Sequence, residues 1–351
     1  MNHFIIFAIS FVSVFLLTFL VRKVAVELNF IDNPEERKFH KTPTPLMGGL
    51  AILIGMICAF FLSFFICINL IPQVKSVLSF FVGLVLMCFL GLLDDYQGMT
   101  PSVKFSVQFI IAIILIIGSG YTELIGPWFV TVPILVIWMV GLMNALNFLD
   151  NMDGITAGLA SILGLGFFAL GILSGNHFIS LISVIFIGAT LGFLPHNFHP
   201  AKIFLGDAGS MLIGYTLSVL GIVLLTELPK NFSLFLPVLL LSYAIFDISL
   251  VSITRRRDGR RVLQGGKDHS THRIGTATGS VRITAVMVYL INILMVLITV
   301  IVYETSSQWA ILITTVLFAI VFLFFGGKLD QIPILISRNQ LRVRPSHDNT
   351  K

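Results

Sequence analysis

Long apolar segments separated by short polar ones run along almost the whole chain. The apolar residues form continuous stretches, so they lack the two-residue or 3.6-residue period that marks one buried face of a soluble strand or helix. A helix that crosses a bilayer needs about 20 predominantly apolar residues. The segments that meet this requirement are 4–21, 46–66, 77–93, 105–119, 128–143, 155–173, 178–194, 211–226, 232–253, 283–303 and 308–326. The pattern predicts an all-α polytopic membrane protein with about 11 transmembrane helices.

Composition supports this prediction and excludes several classes of protein. The 351 residues are 56% hydrophobic and only 11% charged, whereas about a quarter of the residues in a soluble domain are charged. The three cysteines, Cys58, Cys67 and Cys88, lack the paired spacing of a disulfide framework or a zinc site. No basic patch studded with aromatic residues accompanies the net charge of +5, so we expect no nucleic-acid partner.

The distribution of basic residues predicts the orientation. No basic residue precedes the first apolar segment, and Arg22 and Lys23 follow it, which are the flanks of an uncleaved span with its N-terminus outside. Eleven spans then place the C-terminus in the cytoplasm. Of the 22 Lys and Arg residues, all except Lys75 and Lys230 fall on the predicted inner side. The polar chemistry should therefore gather at the cytoplasmic face.

The segment between the fifth and sixth spans is the most polar interruption of an apolar run. Asn144, Asn147, Asp150 and Asp153 recur there at a spacing of three residues, followed by Gly154. If the fifth span continues as a helix, these side chains lie on one face and form one polar stripe. Two carboxylates with flanking amides suit a cation or a phosphate. A polar loop with an Asx turn and a helix N-cap explains the same residues.

Asp94 and Asp95 lie at the cytoplasmic end of the third span, and Lys104 lies at the start of the fourth. Adjacent carboxylates at a membrane boundary repel each other and lose hydration unless a cation or a donor compensates. Magnesium prefers oxygen ligands and usually shares them with substrate phosphates. The alternative is a solvated loop capped by two aspartates.

The segment 195–210 leads into the eighth span and ends in Gly206-Asp207-Ala208-Gly209-Ser210. Backbone amides, a carboxylate and a hydroxyl at a helix start suit a phosphate and metal site, although an ordinary N-cap explains them equally well. His196 and His199 are interpreted as loop residues. Gly48 and Gly49 at the start of the second span allow close approach of a ligand or of a neighbouring helix.

The longest inner loop contains a run of arginines and a short histidine segment. Arg255, Arg256 and Arg257 follow the ninth span directly and are interpreted as anchors of topology. The histidine segment contains Lys267, His269, His272 and Arg273 without a cysteine, which favours contact with a phosphate or diphosphate over a zinc site. Asp247, inside the ninth span, either serves function or pairs with a cation of the inner face.

Taken in order, these clusters resemble the polyprenyl-phosphate N-acetylhexosamine-1-phosphate transferases of glycosyltransferase family 4, membrane enzymes that start lipid-linked glycan synthesis. The resemblance extends from about position 34 to 273. It is closer to the branch that uses UDP-N-acetylglucosamine than to the branch that uses UDP-N-acetylmuramoyl-pentapeptide. The sequence departs from the family at Gln97-Gly98, at Asn151, where glycine is usual, and at 269–272, which has fewer histidines than the common cluster.

The resemblance implies transfer of a sugar-1-phosphate, N-acetylglucosamine-1-phosphate above all, from a UDP-sugar to undecaprenyl phosphate with release of UMP. It implies Mg²⁺ as cofactor, with Mn²⁺ as an alternative ion. It also implies a single catalytic domain at 1–326 in the bacterial inner membrane, among membrane lipids, followed by a polar cytoplasmic tail at 327–351. It allows a homodimer as well as a monomer.

The same resemblance assigns roles to individual residues. The residues that it implies in catalysis are Asp94, Asp95, Asp150, Asp153 and Asp207, of which Asp207, Asp94 and Asp95 would hold the metal. The residues that it implies in substrate binding are Lys104, Asn147, Asn197, Phe204, Lys267, His269, His272 and Arg273. Both direct transfer and a two-step route through an aspartyl-phosphate remain open.

Two other functions stay open at this point. One is transfer of phospho-N-acetylmuramoyl-pentapeptide within the same family. The other is secondary transport, which would place acids and broken helices near the centre of the bilayer and show repeat symmetry. The polar clusters of this chain instead gather on one predicted face.

Overall fold

The computed structural model describes residues 2–33, 43–66, 74–226, 234–262 and 266–333, and these residues are nearly all helical. The helices are α1 (His3–Glu27), α2 (Gly48–Ile66), α3 (Val74–Gln97), α4 (Pro101–Ser119), α5 (Trp128–Leu149), α6 (Ile155–Leu173), α7 (His177–Asn197), α8 (Gly206–Thr226), α9 (Phe235–Leu240), α10 (Ser242–Arg257), α11 (Ser270–Thr278), α12 (Val281–Glu304) and α13 (Gln308–Asp330). A 3₁₀ turn covers Tyr121–Glu123. The predicted inner loop at 34–42, Gln264-Gly265 of the histidine loop and the tail beyond 333 lie outside the described residues.

The apolar pattern is confirmed as the sequence of a polytopic membrane protein. Within the described ranges, nine helices are long and apolar enough to cross a bilayer, namely α1, α3 to α8, α12 and α13. The predicted second span corresponds to α2. The predicted ninth span is divided into α9 and α10, which meet at Leu241, where ψ of 12° departs from the helical value.

The prediction of an all-α chain needs one correction. Strands β1 (Ile31–Asp32) and β2 (Thr44–Pro45) pair antiparallel in the connection between α1 and α2. The Pro45 carbonyl also accepts a hydrogen bond from the Phe204 amide at 2.9 Å. Backbone groups of these two strands thus bond to one another and to the segment before α8.

Helix α8 is the most enclosed of the nine candidate spans. In its most apolar window 89% of the residues are buried, compared with 11% for α13. Helices α2, α3, α5 and α6 pack around α8, whereas α13 exposes most of its apolar side chains, as a helix at a lipid boundary does. The N-terminus of α8 therefore lies among the ends of several helices.

Two glycines let neighbouring helices approach the start of α8. A Cβ atom on Gly49 of α2 would lie 2.2 Å from the Gly209 amide nitrogen, and one on Gly91 of α3 would lie 2.3 Å from the Ala208 Cα. Real Cβ atoms essentially never come this close to backbone, so only glycine fits at both positions. The glycines at the start of the second span thus serve helix packing.

Helix boundaries near the polar clusters differ from the predicted ones. Helix α5 ends at Leu149, so the predicted stripe stops at Asn147, and Asp150 is the residue after the helix. The Asn151 Nδ2 donates to the Phe148 carbonyl at 2.7 Å, and Gly154 adopts a φ of +77°. Short polar side chains that bond to nearby backbone favour such a turn over continued helix. Helix α7, in contrast, includes His196 and Asn197.

We expect Gly91→Ala to destabilise the protein, because the added methyl group overlaps the backbone of α8. Overpacking of this kind costs about 1–3 kcal/mol. Thermal unfolding of the purified protein in detergent measures the loss. The matched control is Gly141→Ala in α5, where a Cβ meets no atom within 4 Å. Equal melting temperatures for the two variants would contradict the packing argument.

Candidate active site

The first amides of α8 are capped by a carboxylate from another helix. The Asp207 amide donates to Asp95 Oδ1 at 2.8 Å, and the Ala208 amide donates to Asp95 Oδ2 at 3.2 Å. The first amides of a helix lack intrahelical partners and carry partial positive charge, so a carboxylate stabilises them. Gly206 has a φ of +69°, and its Cβ would lie 2.4 Å from Asp95 Oδ2. Glycine is therefore required directly before Asp207.

Lys104 joins two further carboxylates at this point. Its Nζ lies 2.8 Å from Asp94 Oδ2 and 2.5 Å from Asp207 Oδ2. The lysine is 8% exposed, so the ammonium has lost most of its water and depends on these oxygens. Asp94 Oδ1 also accepts a hydrogen bond from the Met99 amide at 2.6 Å. Helices α3, α4 and α8 thus share one ion-pair network.

Helix α5 contributes amide side chains to the same network. Asn147 Nδ2 donates to Asp207 Oδ1 at 2.7 Å and contacts Ser210 Oγ at 2.8 Å. Three residues earlier, the buried Asn144 donates to Gln108 Oε1 at 2.7 Å. Gln108 lies one helical turn after Lys104 on α4, so α4 and α5 meet along a polar seam. The sequence interpretation missed Gln108, although its spacing from Lys104 indicates a shared face.

The turn after α5 holds Asp150 in a partly buried position. Burial, together with the negative charges of Asp207 and Asp153, raises the pKa of Asp150 to about 7. A carboxyl group with this pKa exchanges its proton in the physiological range. Such groups are frequent at functional sites.

Asp153 and Gly154 connect this turn to the segment after α7. Asp153 Oδ2 lies 2.7 Å from His199 Nδ1 and accepts the Ala201 amide at 3.1 Å. Asn197 Oδ1 accepts the Gly154 amide, and its Nδ2 donates to the Ile203 carbonyl, both at 3.1 Å. Both ends of the Asn197 amide are thus engaged by protein. The predicted substrate contacts of Asp153 and Asn197 stay predictions.

The histidine segment lies beside the same turn. His269 Nδ1 is 2.8 Å from Asp247 Oδ2, and its ring centroid is 5.9 Å from that of Phe148, the residue after Asn147. Thr271 Oγ1 donates to Asn151 Oδ1 at 2.7 Å. The structure therefore brings the predicted histidine segment next to the Asn and Asp cluster, and it pairs Asp247 with a residue of that segment.

The next two residues of the histidine segment, His272 and Arg273, are both buried. Burial is the main cause that lowers the pKa of His272 to about 3, so the ring is neutral near pH 7. Arg273 donates to the carbonyls of Asp268 and Leu329. These contacts give Arg273 a structural role, and its predicted contact with substrate stays a prediction.

Asp268 holds the loop before α11 in place through a buried ion pair. Arg255, interpreted from sequence as a topology anchor, is 1% exposed and donates through Nε and Nη2 to both Asp268 oxygens at 2.9 and 2.6 Å. Burial by itself would raise the pKa of Asp268, but the hydrogen bonds and charge of Arg255, with Arg260, lower it to about 2. The arginine run thus has a folding role that sequence reasoning missed.

The remaining predicted residues lie around these clusters. Phe204 is partly exposed, and its carbonyl accepts the Gly48 amide at 3.0 Å. Lys267 is partly exposed just before Asp268. The residues that the structure joins directly are Asp94, Asp95, Lys104, Asn147 and Asp207, and the turn at 150–154 connects them to the histidine segment.

The donor set can be tested against magnesium. In the described part of the chain, no group of three or more His, Cys, Asp or Glu side chains is arranged to hold a metal ion by itself. Asp94 and Asp207, however, converge on one cation, the Lys104 ammonium, through hard oxygen atoms. Magnesium is commonly bound by one or two carboxylates together with substrate phosphates. The residues fit a metal site that substrate completes.

Comparison with known proteins assigns the chain to a family. The model of glycosyl transferase family 4 matches residues 77–225, which contain the ion-pair network and the turn after α5. A probable undecaprenyl-phosphate N-acetylglucosaminyl 1-phosphate transferase of Bacillus subtilis (strain 168) is 34% identical over 314 residues, which cover 86% of this chain and 85% of the relative. The chain belongs to glycosyl transferase family 4. The predicted resemblance is confirmed, and so is the prediction of a transferase.

Other members of glycosyl transferase family 4 show the range of relatives. A decaprenyl-phosphate N-acetylglucosaminephosphotransferase of Mycobacterium tuberculosis (strain CDC 1551 / Oshkosh) is 33% identical, covering 77% of this chain and 75% of the relative. A phospho-N-acetylmuramoyl-pentapeptide-transferase of Staphylococcus epidermidis (strain ATCC 12228 / FDA PCI 1200) is 30% identical, covering 71% of this chain and 84% of the relative. Both branches considered from sequence are thus represented.

We expect Lys104→Met to lower thermal stability, because it leaves Asp94 and Asp207 without their shared cation. Breaking a buried pair costs about 3–5 kcal/mol, and the loss here should be smaller, since the Asp207 side chain is 33% exposed. Thermal unfolding in detergent measures it. The exposed Lys202→Met is the control. Adding Asp207→Asn to Lys104→Met should recover part of the stability, and a further loss would contradict the ion-pair interpretation.

We also expect Asp150 to make stability depend on pH. An unfolded aspartate has a pKa of about 4, and the folded pKa of about 7 is higher, so the stabilising proton is fully bound below pH 4 and is lost as the pH rises through 7. Asp150→Asn stays neutral throughout. Its melting temperature relative to wild type should therefore be higher at pH 8 than at pH 5, measured without divalent cations or nucleotide. An equal difference at both pH values would contradict the raised pKa.

Proposed function

We propose that this protein transfers N-acetylglucosamine-1-phosphate from UDP-N-acetylglucosamine to undecaprenyl phosphate and releases UMP. The observation that carries the proposal is the convergence of Asp94 and Asp207 on the Lys104 cation at the N-terminus of α8. A relative that is 34% identical and of which the chain covers 85% is named for transfer of N-acetylglucosaminyl 1-phosphate to undecaprenyl phosphate. The product would start synthesis of a lipid-linked glycan of the cell envelope.

The reaction joins two anions, so their negative charge must be neutralised at the site. A phosphate oxygen of the lipid attacks the β-phosphorus, a new P–O bond forms, and the bond from the β-phosphorus to the bridging oxygen breaks, so that UMP leaves with that oxygen. Catalysis of phosphoryl transfer depends mainly on positioning and charge stabilisation. The Lys104 ammonium contributes by holding Asp94 and Asp207 in place, and these two carboxylates would bind the divalent cation that neutralises the phosphates. A lipid phosphate with a second pKa of about 6 is mostly dianionic at pH 7 and needs no general base.

We assign the metal to Asp94 and Asp207, with substrate phosphates as the other ligands. Bound Mg²⁺ supplies charge neutralisation and polarises a phosphoryl oxygen. Asp95 has both oxygens on α8 amides, so we assign it the task of fixing Asp207 instead of binding metal. Because Lys104 already contacts both ligand carboxylates, its ammonium holds them in place before the phosphates arrive.

The sugar-nucleotide would lie over the turn between α5 and α6. Asn147, Asp150 and Asp153 line this turn, and the partly exposed Phe204 would stack on uracil. Lys267 and His269 would contact the diphosphate or the sugar from the other side. The neutral, buried His272 would support this surface without adding charge.

We further propose eleven spans, an outer N-terminus and a cytoplasmic site in the bacterial inner membrane. The excess of basic residues on the predicted inner side supports this orientation. The polar clusters meet at one end of the helix bundle, which favours an enzyme that meets a soluble nucleotide at the membrane surface over a transporter with its site at mid-bilayer.

The decisive test is UMP release by the purified protein with undecaprenyl phosphate, magnesium and a panel of UDP-sugars. We expect lipid-dependent release from UDP-N-acetylglucosamine that EDTA abolishes. Asp207→Asn should abolish turnover and leave the protein folded, whereas Glu123→Gln, exposed at the other end of the bundle, should retain activity. Release only from the muramoyl-pentapeptide nucleotide would move the protein to the other branch. Release from no UDP-sugar would reject the proposal.

A further inference from the structure

A completely buried carboxylate on α10 contacts the histidine segment at two points. Asp247 is 0% exposed and lies in the predicted ninth span. Its Oδ2 is 2.8 Å from His269 Nδ1, and its Oδ1 accepts the Ser270 amide at 2.7 Å. Asp247 therefore holds both the imidazole ring and the first amide of α11.

The residues next to His269 in the chain are also held by an ion pair and by hydrogen bonds. Asp268 is held by Arg255, Ser270 Oγ is 2.9 Å from the Tyr243 hydroxyl, and Thr271 donates to Asn151. These contacts anchor the backbone around His269 in addition to the bond from the Ser270 amide to Asp247 Oδ1. Asp247 also contacts Nδ1, and this contact determines the tautomer and orientation of the ring.

The contact has a defined electrostatic consequence. A buried carboxylate is costly unless it is paired, and an Asp and His⁺ pair is neutral as a whole. With Nδ1–H donated to Asp247, Nε2 lies on the opposite side of the five-membered ring. The ring centroid lies 5.9 Å from that of Phe148 of α5 and 5.7 Å from that of His272. It is thus beside the turn at which the nucleotide is proposed to bind.

We propose that Asp247 is a positioning residue that orients His269 and holds it as an imidazolium, whose Nε2–H donates to a phosphate oxygen of the UDP-sugar. The identity of that ligand rests on the proposed function, whereas the Asp247–His269 pair does not. A carboxylate that holds a functional imidazole in this way fixes the tautomer and favours the charged ring. A phosphate oxygen gains a charge-assisted hydrogen bond from it.

The kinetic test uses Asp247→Asn, which keeps the size of the side chain and removes its charge. We expect kcat to fall about 10- to 100-fold, as typical for loss of such an orienting partner, while KM for the UDP-sugar stays within about threefold. Adding Asp247→Asn to His269→Gln should lower kcat no further, because Asp247 acts through His269. Multiplicative losses would overturn the proposal, and so would wild-type kcat in Asp247→Asn.

Tyr243→Phe is the matched control, because it removes a hydrogen bond from the same helix to Ser270 without touching the imidazole. We expect its kcat to stay within about twofold of wild type, since its net hydrogen bond contributes only to stability. If Tyr243→Phe and Asp247→Asn lose the same activity, the segment needs anchoring in general and the positioning role is wrong.

A spectroscopic measurement tests the pair without any substrate. Wild-type protein labelled with ¹⁵N-histidine in nanodiscs should show both His269 nitrogens protonated, with similar shifts, and His269→Gln identifies the resonances. An unprotonated Nδ1 or a neutral ring would overturn the proposal even if Asp247→Asn failed to fold. If wild type shows the imidazolium but releases no UMP, the proposed function fails while the pair stands.

Discussion

The ion pair of Lys104 with Asp94 and Asp207 is the interaction on which the rest of the site depends. Three charged side chains meet at the ends of α3, α4 and α8. Each loses part of its hydration there, so each needs an opposite charge beside it. One ammonium shared by two carboxylates leaves one net negative charge, which is suited to a divalent cation. The same pairing fixes the three helix ends relative to one another. Folding and the proposed metal binding therefore depend on the same side chains.

The turn after α5 connects this ion pair to the other polar groups. Asn147 reaches α8, Asn151 reaches Thr271 of α11, and Asp153 reaches His199 after α7. These contacts require α5 to stop at Leu149, because continued helix would turn the later side chains away from their partners. A short polar turn thus organises helices that are far apart in sequence. Its polar composition, unusual in an apolar chain, follows from this structural role as well as from chemistry.

The sequence predicted the class of membrane protein and the polar clusters well. It predicted less well which residues pair with one another within those clusters. A run of about 20 apolar residues predicts a membrane-spanning helix, because length and composition alone decide whether it is stable in a bilayer. The break between α9 and α10 at Leu241 has no comparable signal in the local sequence. The clustering of Asp94, Lys104, Asn147 and Asp207 followed from their shared position at the ends of spans. The capping of α8 by Asp95 did not, because Asp95 and Asp207 are far apart in sequence and a carboxylate suits a metal or an amide equally well. The pairing of Arg255 with Asp268 was missed for the same reason, since the local pattern that suggests a topology anchor does not reveal a buried bidentate partner.

Asn151 shows how a departure from the family pattern acquires a physical meaning. Its Nδ2 satisfies the Phe148 carbonyl at the end of α5, and its Oδ1 accepts the Thr271 hydroxyl in the first turn of α11. A glycine, which the resemblance implies at this position, would supply neither bond. In this chain the two walls of the proposed nucleotide site are therefore linked by the Asn151 side chain. A site linked in this way loses less conformational freedom when it closes on a ligand, and the geometry between its walls is less adjustable.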